Sequence, residues 1–223
     1  MKKIVVAIDG FSSTGKSTLA RQLAEKLQYT YVDSGAMYRA ITLYFIDHEV
    51  DLKNKEAVQK ALEHIQIGFT QNRVTLNGEE VEGRIRSMLI SNLVSEVSAL
   101  KEVRSFAVKE QQRMGLDKGL VMDGRDIGTT VFPRAELKIY LYADESVRCH
   151  RRFDEMRLKN PAVSFDEVCE NLRHRDHIDS TRDVSPLRKA KDAIVLDNSH
   201  LRMEEQLERA YQLAMERIGA TKD

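Results

Sequence analysis

The sequence predicts an α/β fold, a doubly wound parallel sheet of five strands interrupted by one large and one small insertion. Three observations predict it. Five short runs, IVVAI (4–8), YTYVD (29–33), GLVMD (119–123), LKIYLYA (137–143) and AIVLD (193–197), are apolar with little alternation, as strands covered on both faces read. Amphipathic helical patterns lie between them, and strand–helix alternation belongs to open parallel sheets. The rhythm breaks twice, after the second run and after the fourth.

In chain order, the first run passes directly into GFSSTGKST (Gly10, Phe11, Ser12, Ser13, Thr14, Gly15, Lys16, Ser17, Thr18). Its first eight residues satisfy G-x-x-x-x-G-K-[ST] between a strand and a helix, which is the context a phosphate-binding P-loop requires. The glycines let successive N–H groups converge on phosphate oxygens, and the helix from Ser17 to Leu27 adds its positive end. Lys16 then neutralises the β- and γ-phosphates, and the Ser17 hydroxyl is the expected Mg²⁺ ligand. The second run ends in VDSGAMYRAI, where Asp33 or Ser34 can cap a helix carrying Tyr38 and Arg39 in its early turns. That position is the carboxyl edge of the sheet, where such folds bind ligands, and an arginine there suits a phosphate.

Apolar positions Val58, Ala61, Leu62 and Ile65 mark a further helix, and RVTLNGEEV (73–81) offers Asn77-Gly78 as a type I′ turn between extended segments. A helical stretch from about 85 to 112 comes next. Residues 35–112 therefore read as an insertion of helices with a small antiparallel patch. The third strand leads into MDGRDIGTTVFP (122–133), with Asp123, Arg125 and Asp126 packed around glycines, poor material for a core. Beyond the fourth strand, an arginine-rich stretch contains Arg148, Arg151, Arg152, Arg157, Arg173, Arg175 and Arg182. Residues 151–175 read as a basic lid. The core is then 1–34, 113–150 and 176–223, closed by a helix patterned on Leu207, Ala210, Tyr211, Ala214 and Ile218.

Composition narrows the partners. The 223-residue chain is 42% apolar and 31% charged, and its 35 basic and 35 acidic residues cancel. No overall field favours nucleic acid or an anionic membrane. Cys149 and Cys169 are too few for a disulfide framework and are expected as free thiols in a reducing compartment. The apolar run after Lys2 and Lys3 is too short for a signal-peptide core, and no stretch approaches a membrane span, so a cytoplasmic protein is expected.

The expected chemistry is phosphoryl transfer, which consists mostly of positioning and charge neutralisation. The Asn-Lys-x-Asp guanine signature and the Leu-Ser-Gly-Gly-Gln signature are missing, leaving a small phosphotransferase. No clear general base accompanies the P-loop, whereas an alcohol acceptor wants one. A phosphate acceptor is already an anion, which favours a nucleoside monophosphate.

DSGAMYR, DGRDIGT and RDHIDSTR in this order, together with SEVSALKEVR (95–104), CHRR and AIVLDNS, resemble the bacterial cytidylate kinase family over almost the whole chain. The resemblance implies a P-loop nucleoside monophosphate kinase transferring the γ-phosphoryl group of ATP to CMP or dCMP, with Mg²⁺. It implies that Ser34, Arg104, Asp126 and Arg182 surround cytosine, and that Ser95, Arg175 and Asp179 hold the ribose. Arg39 and Arg125 clamp the acceptor phosphate, and Tyr38 lines the pocket. On the same resemblance, Lys16, Arg125, Arg151 and Arg175 are expected to stabilise the transferring phosphate, with Arg151 on the lid. A carboxylate at Asp126 can accept from the cytosine amino group, where uracil presents only an acceptor. Phe11 stands where many members have proline, Thr130 where valine is common, and Ile178 where some have arginine. Two rivals remain: a kinase for UMP or another monophosphate, and a nucleotide-regulated binding module without an acceptor. A monomer is expected, and Asp9 and Asp123 are equal candidates for orienting Mg²⁺.

Overall fold

All five residues of the first strand are buried, because helices cover the sheet on both faces. The computed structural model describes residues 2–158 and 160–220, so Lys159 of the expected lid and the chain ends of the expected core lie outside the described residues. The strands are β1 (Val5–Asp9), β2 (Thr30–Asp33), β6 (Leu120–Gly124), β7 (Leu137–Tyr142) and β8 (Ile194–Asp197). They form a parallel sheet in the order β2-β6-β1-β7-β8, with Val6 paired to both Val121 and Leu137. The order reverses next to β1, so the loops after β1 and β6 open at one edge and make a crevice.

One face of the sheet packs on α1 (Lys16–Leu27) and α8 (Met203–Ala220), where Val6, Ile8, Leu19, Leu23 and Ala214 are fully buried. The other packs on the insertion. Its helices are α2 (Ser34–Asp47), α3 (Lys55–Glu63), α4 (Met88–Ala99) and α5 (Lys101–Met114), around Met37, Ile41, Val97 and Val103. Asp33 caps α2, its Oδ1 accepting from Ala36 N at 2.9 Å.

The expected antiparallel patch is larger than its sequence signal. β3 (Ile67–Thr70), β4 (Arg73–Leu76) and β5 (Glu79–Glu80) form a sheet in which Asn77 and Gly78 turn at φ 52° and 89°, as a type I′ turn needs. A second two-residue turn, Gln71-Asn72, also has positive φ and was unannounced because neither residue is glycine. The single helical stretch expected over 85–112 is also corrected. Leu100 leaves helical geometry at ψ 129°, dividing α4 from α5, and Ser98 O accepts from Arg104 Nη1 at 3.2 Å.

The expected lid, 151–175, begins inside α6 (Glu145–Arg157) and ends inside α7 (Phe165–Thr181). Ser164 starts α7 with a reciprocal capping box to Glu167. Cys149 and Cys169 face each other across α6 and α7, with Cα atoms 5.2 Å apart. Their separation of 20 residues says nothing about proximity; the α6–α7 hairpin brings both into one small apolar cluster with Leu172. Among the described residues, no helix is long and apolar enough to cross a membrane.

Candidate active site

The sheet edge opens into a cleft of about 260 Å³ between the P-loop, α2, α4, α5 and the α6–α7 hairpin. At one end the chain turns from β1 into α1. A Cβ at Gly10 would collide with the Leu141 carbonyl, and Gly15 sits at φ 88° just before α1, so both positions need glycine. Lys16 is buried, its Nζ folded back onto Phe11 O at 2.5 Å and Thr14 Oγ1 at 3.2 Å. Burial first, then the neighbouring Arg125 cation, lowers its pKa to about 7. A buried ammonium disfavoured in this way, even with carboxylates nearby, gains from any phosphate that reaches it.

Two carboxylates lie at strand ends beside it, and their partners separate them. Asp9 accepts from the Ile127 and Gly128 amides, each at 2.8 Å, and so pins the loop after β6. Burial raises its pKa to about 6 despite those amides. Asp123 faces the P-loop instead: its Oδ2 accepts from Ser17 Oγ at 2.8 Å and its Oδ1 from Tyr31 OH at 2.9 Å. Burial, then Asp33, raises Asp123 as well. A hydroxyl and a carboxylate held together at the phosphate end are hard oxygen donors, which fits Mg²⁺.

Arg125 bridges the two ends of the cleft. Its Nη2 donates to Ser12 Oγ and its Nε to Asp179 Oδ2, both at 2.9 Å.

At the far end, Arg104 is 1% exposed and pairs closely with Asp126 Oδ2, while the other Asp126 oxygen lies 3.5 Å from Arg182 Nη2. Arg182 also reaches Asp179 at 3.5 Å and donates to Ser185 O. The Tyr38 ring lies under the Arg104 guanidinium at 5.4 Å. Burial works to lower the Arg104 pKa, but Tyr38 and Asp126 outweigh it and the pKa is raised. Arg182 is lowered, by burial and then by Arg104.

Between these ends lies a cluster of arginines. Arg39 donates to Ser91 Oγ at 3.0 Å and Ile85 O at 3.3 Å, both neutral acceptors. Burial, then Arg175, Arg86 and Arg152, lowers its pKa to about 9. Arg175 is lowered to about 10 by burial and then Arg125, and its buried Nε has no hydrogen-bond partner among the described residues. Buried cations facing one another make an anion site.

Of the residues singled out from sequence, Ser12, Ser13, Gly15, Lys16, Ser17 and Thr18 line the cleft at the P-loop. Ser34, Tyr38, Arg39, Ser95, Arg104, Arg125, Asp126, Arg175, Asp179 and Arg182 line the remainder. Ser34 Oγ donates to Asp123 O at 2.6 Å. Gly10, Phe11 and Thr14 shape the loop from behind. Arg151 is also behind it, donating to Thr14 O at 3.3 Å and to Asn198 Oδ1 and O at 3.2 and 3.0 Å.

The neighbouring Arg152 lines the cleft, as does Arg86, which pairs with Asp33 at 3.2 Å. Arg152 was expected only as part of the basic lid, and Arg86 had no expected role. Asn198, which donates to Thr14 O at 2.8 Å, was legible only as the end of AIVLDNS.

A family model described as cytidylate kinase matches residues 6–216. A cytidylate kinase of Bacteroides thetaiotaomicron is 54% identical over 217 residues, covering 93% of this chain and 95% of its own. That of Flavobacterium psychrophilum is 55% identical over 215 residues, covering 92% and 95%. Among solved structures, a shikimate kinase from Bacteroides thetaiotaomicron aligns with a TM-score of 0.51 at 13% identity, over 96% of this chain and 99% of its own, a likeness of fold.

Proposed function

This chain belongs to the cytidylate kinase family, and from that premise we propose how its cleft performs the reaction. It transfers the γ-phosphoryl group of ATP to CMP or dCMP, giving ADP and CDP or dCDP. One observation carries the residue-level reading. The arginine at the far end, Arg104, is already paired with a carboxylate, whereas Arg39 and Arg175 face other cations. A neutral base suits the first and a phosphate suits the second.

The P-loop amides and Lys16 hold the donor phosphates, and the lysine's depressed pKa recovers as they arrive. Ser17 would hold Mg²⁺, with Asp123 oriented towards the same place by Tyr31. When bound, the ion neutralises charge on the β- and γ-phosphate oxygens. Arg39 and Arg125 hold the acceptor phosphate, an anion that needs no deprotonation. Its oxygen forms the new bond to the γ-phosphorus as the bond to the β-bridging oxygen breaks, and ADP leaves with that oxygen. Lys16, Arg125, Arg151 and Arg175 offset the charge that shifts during transfer, Arg151 through the loop it braces.

Ser95, Arg175 and Asp179 take the ribose; Ser34, Arg104, Asp126 and Arg182 take cytosine, with the Tyr38 ring as a wall. A core of 1–34, 113–150 and 176–223 carries the donor site, 35–112 the acceptor site, and 151–175 the lid. Closing the lid excludes water, which would otherwise take the phosphoryl group. The protein acts as a cytoplasmic monomer on nucleotides alone, without nucleic acid or membrane.

The test is ADP release from ATP and Mg²⁺ with CMP, dCMP, UMP, AMP or GMP, and with no acceptor. A strong response to CMP and dCMP, weak to UMP and absent with purines, is expected. Release at the no-acceptor level throughout defeats the reading in favour of a binding module. A purine response defeats the base site.

A further inference from the structure

We propose that Arg148 and Asp176 form a positioning clamp on the P-loop, tying the neck of the lid to the donor site through Ser12. The inference rests on the reading that the P-loop holds the donor phosphates. Arg148 on α6 and Asp176 on α7 are 6% and 8% exposed and make a close ion pair. Neither lines the cleft, and cytosine, ribose and phosphate all have other partners.

Both members of the pair reach one residue. Asp176 Oδ1 accepts from Ser12 N at 3.0 Å, and Arg148 Nη1 donates to Ser12 O at 3.3 Å. The Arg148 guanidinium lies 5.3 Å from the centre of the Phe11 ring, a surface that a proline would not supply. The peptides on either side of the Ser12 Cα are thereby fixed in orientation.

The next residue in the chain needs that restraint. Ser13 sits at φ 58°, a left-handed conformation that is unfavourable for a residue with a β-carbon and persists where its surroundings over-determine it. Immediately beyond it come the amides of the phosphate-binding turn. A loop whose entry peptides are held can present those amides before the donor arrives, and preorganised donors bind more tightly.

The location adds the coupling. Arg148 lies one turn before Arg151, and Asp176 is the residue after Arg175, so the pair crosses the base of the lid. Arg151 braces Thr14 O from the same helix face. An ion pair serving only to hold α6 on α7 would have no need to engage the loop, and the apolar cluster of Cys149, Cys169 and Leu172 already packs those helices together.

The experiment measures ATP and CMP affinities by titration calorimetry, with steady-state kinetics and melting temperatures, for the parent protein, Asp176→Ala, Asp176→Asn and Arg148→Met. The expected result for Asp176→Ala is ATP affinity weakened about tenfold or more, with CMP affinity within about twofold of the parent. KM for ATP rises in step, while kcat at saturating substrates stays within about threefold. Asp176→Asn keeps an acceptor for Ser12 N and recovers part of the loss.

Arg148→Met, which keeps apolar contact with Phe11, shows the same selective loss and decides the matter if Asp176→Ala does not fold. Unchanged ATP affinity overturns the clamp, and so does equal weakening of ATP and CMP alongside a lower melting temperature. A parent protein that binds no ATP overturns the functional reading itself, a result the variants cannot mimic.

Discussion

Two arginines in one cleft, both almost without solvent contact, are shifted in opposite directions. Arg104 pairs with Asp126 and has its pKa raised; Arg39 has only neutral acceptors and three arginines around it, and falls to about 9. Burial penalises both, so the difference lies in the partners. A charge neutralised by the protein is rigid and can read hydrogen-bonding edges without attracting an ion. A charge left without a counter-ion is unfavourable in the free protein and is relieved by a ligand's phosphate. For these two arginines the contrast agrees with the proposed phosphate at Arg39 and the proposed base at Arg104.

The largest way to break the comparison is to remove the buried cation at the donor end. Lys16→Ala is expected to lower phosphoryl transfer by about 10³-fold or more for every acceptor, measured as ADP release. Near-normal turnover would remove the P-loop from the mechanism. Next comes the acceptor phosphate. Arg39→Ala should weaken CMP by roughly 10²-fold and leave cytidine nearly unaffected, by calorimetry, since only CMP carries the anion. Equal losses for both would mean that Arg39 belongs to the fold and not to the phosphate.

Smaller still is the effect at the paired end. Asp126→Asn should cut the preference for CMP over UMP about tenfold, while the phosphate contacts are retained, measured as the ratio of kcat/KM values. An unchanged ratio would show that the Arg104–Asp126 pair does not read the base.

A last effect, on stability and not on turnover, concerns Asp9, which pins the loop carrying Arg125 and Asp126 between the two regions. Its pKa is raised from 3.8 to about 6, so between those values the folded protein holds more protons than the unfolded chain. Its contribution to stability is full below the lower value and is lost as pH rises through the upper one. The slope is at most about 1.4 kcal/mol per pH unit. Denaturant unfolding of the parent and Asp9→Asn across pH 3.5 to 6.5 should differ by that slope; parallel profiles would sink the assignment.

Much of the fold was legible because its signals are local. Strand runs, Asp33 as helix cap, Asn77-Gly78 as a turn and the G-x-x-x-x-G-K-S spacing each act over a few residues. The Gln71-Asn72 turn escaped because its residues adopt left-handed geometry without glycine. The break at Leu100 escaped because the apolar pattern continues across it.

The acceptor residues could be gathered from sequence only through resemblance, since Arg39, Arg104, Asp126 and Arg182 are far apart in the chain. Asp9 and Asp123 look alike at strand ends, yet one faces two amides and the other faces Ser17. Which of Arg151 and Arg152 enters the cleft turns on helix phase, about 100° per residue, set by how α6 packs.

By itself, then, the sequence determined the strand order's raw material, the phosphate loop and the kind of chemistry, because periodicity and loop geometry are written over short spans. Only the tertiary structure decided which charges are neutralised. Arg39 and Arg104 are the same residue type, and the partner that distinguishes them is brought in by the fold, from 22 positions along the chain in the case of Asp126.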